Sequence, residues 1–210
     1  MNLSLAIKIA SGMGAIGAIG GGIALSTLLS SSNKYTLKNL VEKDKWTFLT
    51  EANSSEIGKI LEVYKTKLAL PFSKLSGGES NAPARLLEEC KKLYDRDSRG
   101  LNKEDSLYKL KRWCVVPKTI QERLNDMGIT LLSTQAPTSG GSESEEWKEK
   151  VKRHQENNKD KFTAISGSWE NGEGAKKIRE HCETQMKIES FKDEFYSALE
   201  KVKIWCSEDN

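Results

Sequence analysis

The chain has 210 residues, of which 37% are hydrophobic and 30% charged. This is enough for one ordinary domain or two small ones, and it excludes collagen-like, mucin-like and wholly disordered classes. The 33 Lys and Arg residues and 30 Asp and Glu residues leave a net charge of only +3. Because no strong field is present to attract nucleic acid or acidic substrates, we expect no nucleic-acid partner.

The amino terminus carries an uncharged apolar run at residues 9–29. As a helix it would extend roughly 31 Å, about one hydrocarbon thickness, which predicts a transmembrane anchor within residues 1–33. The alternative is a cleavable signal peptide with its cleavage site near Ser30–Ser32. Short leading tails usually stay inside the cell, so we expect the body of the protein outside.

Glycines interrupt this apolar run and suggest a second use for it. Gly17 and Gly21 are spaced as in helices that approach closely within a bilayer, which predicts self-association through this segment. A small-residue apolar segment without such a role is the alternative.

The remainder of the chain contains an internal duplication. Cys90 and Cys114 are 24 positions apart, as are Cys182 and Cys206, and each second cysteine follows a tryptophan. The residues around these pairs match at an offset of 92, and earlier segments match at offsets of 90 and 83. Such ordered offsets are expected of tandem copies with small insertions. The sequence therefore predicts a first unit at residues 36–117 and a second at 118–210.

Apolar residues in the first unit recur with helical periodicity, which predicts a mainly α fold. Its stripes comprise Ile57, Ile60, Leu61, Tyr64 and Leu68, then Leu86, Leu87, Cys90, Leu93 and Tyr94, then Leu107, Leu110, Trp113 and Cys114. Ser54 or Ser55 is predicted to cap the first helix, and a flexible segment at 76–84 to precede the second. The third should begin near Asn102 and end before Pro117.

The second unit repeats these stripes. They comprise Trp147, Val151 and His154, then Ile178, His181 and Cys182, then Phe191, Phe195, Leu199, Val202, Trp205 and Cys206. Capping-box patterns occur at Thr119–Glu122, before a short helix ending near Gly128, and at Ser190–Asp193, before the last helix. Residues 134–146 and 166–174 are interpreted as solvated loops.

Two apolar pairs remain open between short strands and irregular core segments. They are Phe48–Leu49 and Leu131–Leu132.

The cysteines allow three disulfide connectivities. Repeat symmetry favours Cys90 with Cys114 and Cys182 with Cys206, each bridge joining the last two helices of its unit. Four reduced cysteines in the core are the alternative. A zinc site of four thiolates is a distant third, since the chain has no C-x-x-C pair.

No pattern in the body predicts catalysis, a cofactor or a metal site. Neighbouring helical residues such as His181 and Cys182 point about 100° apart and cannot act as a dyad. His154 lies on an apolar stripe where the first unit has Tyr64, and we interpret it as a packing residue. The glutamates interpreted as solvated helix faces are Glu88, Glu89 and Glu180.

The five tryptophans divide into two sets. Trp113, Trp147 and Trp205 are predicted to lie in the core. Trp46 and Trp169 are predicted to be exposed, where they could serve as binding anchors.

Several strings resemble an uncharacterised family of paralogous membrane-associated or exported proteins that haemotropic mycoplasmas encode in large arrays. They are the Gly/Ala-rich apolar segment ending in serines, Tyr35-Thr-Leu-x-x-Leu40, Arg112-W-C-V-V-P-x-T-I-x-x-R-Leu124, and Lys203-x-W-Cys206. The first unit departs from the family pattern at Ile57, where a Trp is expected. The resemblance implies a protein of a wall-less parasite of red cells, and it carries over no activity, cofactor or catalytic residue.

The sequence thus favours a non-enzymatic surface protein with a helical ectodomain of the interaction or antigen type. We expect it to be single-pass, with its body extracellular, or secreted, and its partner to be a host or cell-surface protein. An extracytoplasmic hydrolase with a dispersed site is one alternative. A cytosol-facing, membrane-tethered scaffold with reduced cysteines is another.

Overall fold

A computed structural model describes residues 35–66, 71–139, 141–156, 160–165, 167, 169 and 172–208. The apolar run at 9–29, with Gly17 and Gly21, lies outside these residues. Within the described part of the chain, no helix combines the length and apolar character needed to cross a bilayer.

The fold is mainly helical, as the periodicity predicts. The described residues form eight α-helices: α1 (Leu37–Lys43), α2 (Ser54–Tyr64), α3 (Ala82–Tyr94), α4 (Lys103–Trp113), α5 (Ile120–Asp126), α6 (Glu145–Glu156), α7 (Glu173–Met186) and α8 (Phe195–Trp205). The first four lie in the first unit and the last four in the second.

Each unit opens with a short helix that a threonine caps. The Thr36 hydroxyl accepts from the backbone N–H of Asn39 at 3.2 Å and starts α1. Thr119 starts α5 with the predicted capping box, in which the Glu122 carboxylate accepts from the backbone N–H of Thr119 at 2.7 Å. The sequence predicted only α5, because α1 lacks the Glu that completes the box.

The Phe48–Leu49 and Leu131–Leu132 pairs lie in irregular core segments and not in strands. Phe48 pairs with Val115, and Leu131 with Ser207, in isolated antiparallel bridges. The next residue in each segment, Leu49 or Leu132, is buried. Each segment therefore ties the end of its unit's last helix to the core.

Four predicted boundaries in the loops were wrong by a few residues. Helix α3 begins at Ala82, inside the predicted flexible segment, because Pro83 is well tolerated in the first turn of a helix. Asn53, rather than Ser54 or Ser55, occupies the N-cap of α2. Helices α6 and α7 begin at Glu145 and Glu173, so the loop before each of them ends two residues earlier than predicted.

The predicted capping box at Ser190–Asp193 was wrong as well. Helix α8 begins only at Phe195, with Glu194 as its N-cap. The Ser190 hydroxyl instead accepts from the backbone N–H of Lys118 at 3.3 Å, and Asp193 pairs with Arg112 of the first unit. Tertiary partners thus occupy both side chains that the local pattern assigned to a cap.

Both cysteine pairs that the spacing favours lie at disulfide distance. The sulfur atoms of Cys90 and Cys114 are 2.01 Å apart, and those of Cys182 and Cys206 are 2.02 Å apart. All four residues are fully buried. Each bridge joins the third helix of its unit to the C-cap of the fourth.

A polar ring occupies the same place beneath each terminal tryptophan. In the first unit the Tyr64 hydroxyl accepts from the backbone N–H of Phe72 at 2.6 Å, and its ring packs edge-on against Trp113 at 5.1 Å. In the second unit Nε2 of His154 accepts from the backbone N–H of Phe162 at 3.1 Å, and its ring packs against Trp205 at 4.9 Å. His154 is therefore a buried packing residue, as predicted.

This histidine makes the second unit sensitive to acid. Burial, with smaller contributions from Lys161 and His181, lowers the pKa of His154 below its ordinary value of 6.5. At low pH the unfolded chain therefore binds more protons than the folded chain. The contribution of His154 to the free energy of unfolding is fully present above about pH 6.5, and it is lost as the pH falls through the pKa that His154 has in the folded state. We expect the urea concentration at the midpoint of unfolding to decrease when the pH is lowered from 7 to 5. The decrease should be smaller in His154→Tyr. Burial also lowers the pKa of His181, so the urea midpoint should still depend on pH to some extent in His154→Tyr. An equal decrease of the urea midpoint in His154→Tyr and in the wild type would contradict this assignment.

The two units contact each other mainly through polar groups. The guanidinium of Arg112, only 2% exposed, donates to the Phe191 carbonyl at 3.2 Å and pairs with Asp193. Arg123 of α5 pairs with Asp44, which follows α1. These contacts lie within one body that spans Lys34–Asn210.

Trp46 lies at this contact and is buried, so the prediction that it is exposed was wrong. The guanidinium of Arg123 lies 5.0 Å from its ring centroid, and Nζ of Lys118 lies at 5.7 Å. Its indole N–H donates to Asp44 at 3.2 Å. Residues of the second unit cover the tryptophan, so the sequence around Trp46 could not predict its burial.

Candidate recognition surface

The most distinctive exposed feature is a long loop in the second unit, residues 134–143, hereafter the clasped loop. At the corresponding place the first unit has only Glu51–Asn53, between the Thr50 that matches Ser133 and the start of α2. The clasped loop therefore contains seven additional residues. Most of them are small or polar, as expected of a solvated surface loop.

One buried arginine holds both ends of the clasped loop. Arg179 of α7 donates from Nη1 to the Thr134 carbonyl at 3.2 Å, where the loop begins. Its Nε lies 3.1 Å from Oε1 and 3.0 Å from Oε2 of Glu143, where the loop ends, and Nη2 donates to the same Oε1 at 2.9 Å. The two side chains are only 5% and 10% exposed, so water competes little for this pair. The loop is thus tied at its base.

Shorter hydrogen bonds order the loop and its flank. The Gly141 N–H donates to the Thr138 carbonyl at 2.7 Å and closes a turn at the tip. The indole N–H of Trp147 donates to the Ser133 carbonyl at 3.0 Å. These bonds leave most of the polar side chains of the tip directed to solvent.

Two clefts border the clasped loop. One, of about 350 Å³, lies toward Leu132, Trp147 and Glu208. The other, of about 510 Å³, lies toward Lys148, Glu173 and Lys176. Both are partly open to solvent and are lined largely by polar side chains.

Glu146, three residues after the clasped loop, is held in its ionised form. The backbone N–H of Glu146 and the Ser144 hydroxyl lower the pKa of the Glu146 carboxyl, which sits in the first turn of α6. A carboxylate there complements the helix dipole. Its lowered pKa therefore has a structural cause and does not mark it as an acid or base catalyst.

The predicted packing and surface residues do not come together in one site. The ring of His181 packs on Phe162 at 4.3 Å, and Cys182 is in a disulfide, so the two form no dyad. The exposed glutamates Glu88 and Glu180 lie on different helices, α3 and α7. Among the described residues, no group of three or more His, Cys, Asp and Glu side chains could hold a metal ion.

Trp169 is half-buried rather than freely exposed. Its ring stacks on His154 with centroids 5.1 Å apart. It therefore extends the aromatic cluster of the second unit.

The sequence could have indicated Arg179, although its partner was missed. Arg179 lies on the buried face of α7 next to Ile178, and its counterpart at offset 92 is Leu87. A charged residue at a position that is apolar in the other unit points to a buried polar partner.

Known proteins offer no guide to this surface. Comparison with protein-family profiles, curated proteins and solved structures finds no match to the chain.

Replacing Arg179 should release the clasped loop. We expect Arg179→Leu, which installs the first-unit residue, to leave Glu143 unpaired and to raise proteolytic cleavage within residues 135–142 by about tenfold or more. Arg179→Lys should have an intermediate effect, because an ammonium cannot reproduce the bidentate contact. Limited proteolysis with mass mapping measures this.

The matched control is Arg85→Leu, which removes an exposed arginine that pairs with Glu79 outside the loop. It should leave cleavage of the clasped loop unchanged. Equal cleavage rates in Arg179→Leu and the wild type would show that the clasp does not order the loop.

Proposed function

We propose that this protein is an exported or membrane-anchored, extracytoplasmic, non-enzymatic interaction protein in which a disulfide-braced helical body presents the clasped loop. The observation that carries the proposal is the pair of fully buried disulfides, one in each unit. Disulfides persist in oxidising compartments outside the cytosol and are rare within it.

The body is proposed to be a tandem duplication, and its backbone hydrogen bonds support this. The Thr36–Asp97 bridge recurs as Thr119–Glu189, at offsets of 83 and 92. The Phe48–Val115 bridge recurs as Leu131–Ser207 at the same two offsets. Each recurrence joins segments far apart in the chain, so local helix propensity cannot account for it.

The clasped loop is proposed as the recognition element because the second unit has seven additional surface residues there. Its base is fixed by the Arg179–Glu143 pair, and its tip offers hydroxyl, amide and backbone groups. A loop on a rigid base loses less conformational entropy on binding than a mobile one. Resemblance to paralogous, array-encoded proteins of haemotropic mycoplasmas is consistent with a surface-displayed, varying repertoire.

Protease treatment of intact cells, followed by peptide identification, tests the location. We expect peptides from residues 36–210 to disappear, and those of the clasped loop to disappear first. Persistence of every peptide from the body would defeat surface display.

Cysteine mapping under non-reducing conditions tests the chemical basis. We expect Cys90–Cys114 and Cys182–Cys206 peptides in membrane-purified protein. Four free thiols would instead favour a cytosol-facing scaffold.

A further inference from the structure

Three large hydrophobic side chains are exposed in the described part of the chain. Tyr35 is 50% exposed, Leu101 is 97% exposed and Met127 is 44% exposed. None of them belongs to the clasped loop.

All three correspond to residues that join the two units. At offsets of 83 and 92, Tyr35 corresponds to Lys118 and Leu101 to Asp193, while Met127 corresponds to Asp44. Lys118 donates to the Lys45 carbonyl, and Asp193 and Asp44 pair with Arg112 and Arg123. Each exposed apolar residue therefore lies on the outer side of its unit, at the position whose counterpart in the other unit forms the contact between the units.

The partners of these residues change in the same sense. Arg112, which pairs with Asp193, corresponds to Ile204, as Asp193 corresponds to Leu101. The ion pair between the units thus corresponds to two apolar residues, Ile204 and Leu101, on the outer sides of the units.

The second ion pair behaves alike. Arg123, which pairs with Asp44, corresponds to Leu40, as Asp44 corresponds to Met127. Trp46, beneath Arg123, corresponds to Ile129. In both ion pairs the two partners are replaced together, so complementarity is kept although the chemistry changes.

We propose that a second copy of this chain docks head to tail on the first, in the arrangement by which the second unit docks on the first unit. Tyr35, Leu40 and Leu101 form the leading face of one copy, and Met127, Ile129 and Ile204 form the trailing face of the next. The proposal rests on the duplication proposed above. Such a contact joins unlike faces, so it produces a ring or an open chain of copies.

Charge on the same faces sets the strength of the contact. Tyr108 and Tyr196, whose rings are 5.7 Å apart between the units, correspond to the exposed residues Glu200 and Glu104. Two carboxylates would face each other across the outer contact. Self-association should therefore strengthen as salt screens this repulsion, whereas a contact made of ion pairs would weaken.

Sedimentation velocity of the full-length chain in detergent tests the proposal. We expect association that increases with sodium chloride, that weakens by about tenfold or more in Leu101→Asp and in Met127→Asp, and that strengthens in Glu200→Lys. Glu180→Lys makes the same charge change at an exposed position of α7 outside both faces, and it should behave as the wild type.

Mixing distinguishes unlike faces from like ones. Leu101→Asp keeps an intact trailing face, and Met127→Asp keeps an intact leading face. We expect an equimolar mixture to form a one-to-one dimer that neither variant forms alone, detected with two fluorescent labels. A contact between identical faces would not be restored by mixing.

Two results would overturn the proposal. One is a wild type and Glu200→Lys that both remain monomeric at about 100 µM, where any contact with a tighter Kd is populated. The other is association that persists unchanged in Leu101→Asp and Met127→Asp, which would assign it to the segment containing Gly17 and Gly21. Neither result bears on protease accessibility or disulfide mapping in cells, so surface display would stand or fall separately.

Discussion

Replacing Cys90 and Cys114 together by alanine should lower the free energy of unfolding by roughly 3.5 kcal/mol, and the Cys182 and Cys206 replacement should cost about the same. Both bridges close loops of equal length, with a sequence separation of 24. In the chain-entropy model the gain comes from restricting the unfolded chain and depends on loop length alone. For a body of this size, the loss corresponds to a fall of about 10 °C in Tm.

Urea denaturation of the full-length chain without reductant measures both variants. Alanine is used because all four sites are fully buried, where a serine hydroxyl would also need a partner. A reductant titration of the folded wild type is the control, since burial of the sulfurs should delay reduction until local opening. A loss below about 1 kcal/mol in both variants would contradict a bracing role for the bridges.

Arg112→Ile should cost roughly 2–3 kcal/mol by weakening the contact between the units. The guanidinium donates to the Phe191 carbonyl and pairs with Asp193, and its Cζ lies 4.4 Å from the centroid of the Trp113 ring. Isoleucine, the counterpart in the second unit, keeps apolar volume but removes every donor. Asp193 is 41% exposed and can be rehydrated, so the loss should stay below that for a fully buried charge.

A double-mutant cycle separates the pair from the packing. Arg112→Ile with Asp193→Leu places between the units the apolar pair that the outer faces present as Ile204 and Leu101. We expect the double variant to recover about 1 kcal/mol relative to the sum of the single losses. Additive losses would show that isoleucine and leucine do not meet in this geometry, which would also weaken the proposed docking of a second copy.

Sequence periodicity predicted α2 to α4 and α6 to α8 because each of these helices buries a stripe that local spacing reveals, and the capping box predicted α5. The exception among the short helices is α1, whose seven residues are too few to show a period and lack a capping box. The start of α8 was misplaced because two side chains before it have distant partners. Ser190 and Asp193 have the right spacing for a cap, yet Lys118 and Arg112 bind them instead.

The candidate surface could be predicted only in part. Composition alone marks residues 134–143 as a solvated loop, but nothing local links Glu143 to Arg179, which follows 36 residues later. Trp46 was misplaced for a similar reason, since the residues that bury it belong to the other unit.

The sequence by itself determined the helical class and the cysteine pairing, and it predicted two matched units, because residue spacing within one helix or one copy carries that information. Tertiary structure alone decided which polar side chains are buried, what clasps the long loop, and which charged pairs join the units. Those contacts depend on segments brought together over dozens of residues, and their energies come from the desolvated surroundings that only the folded chain creates.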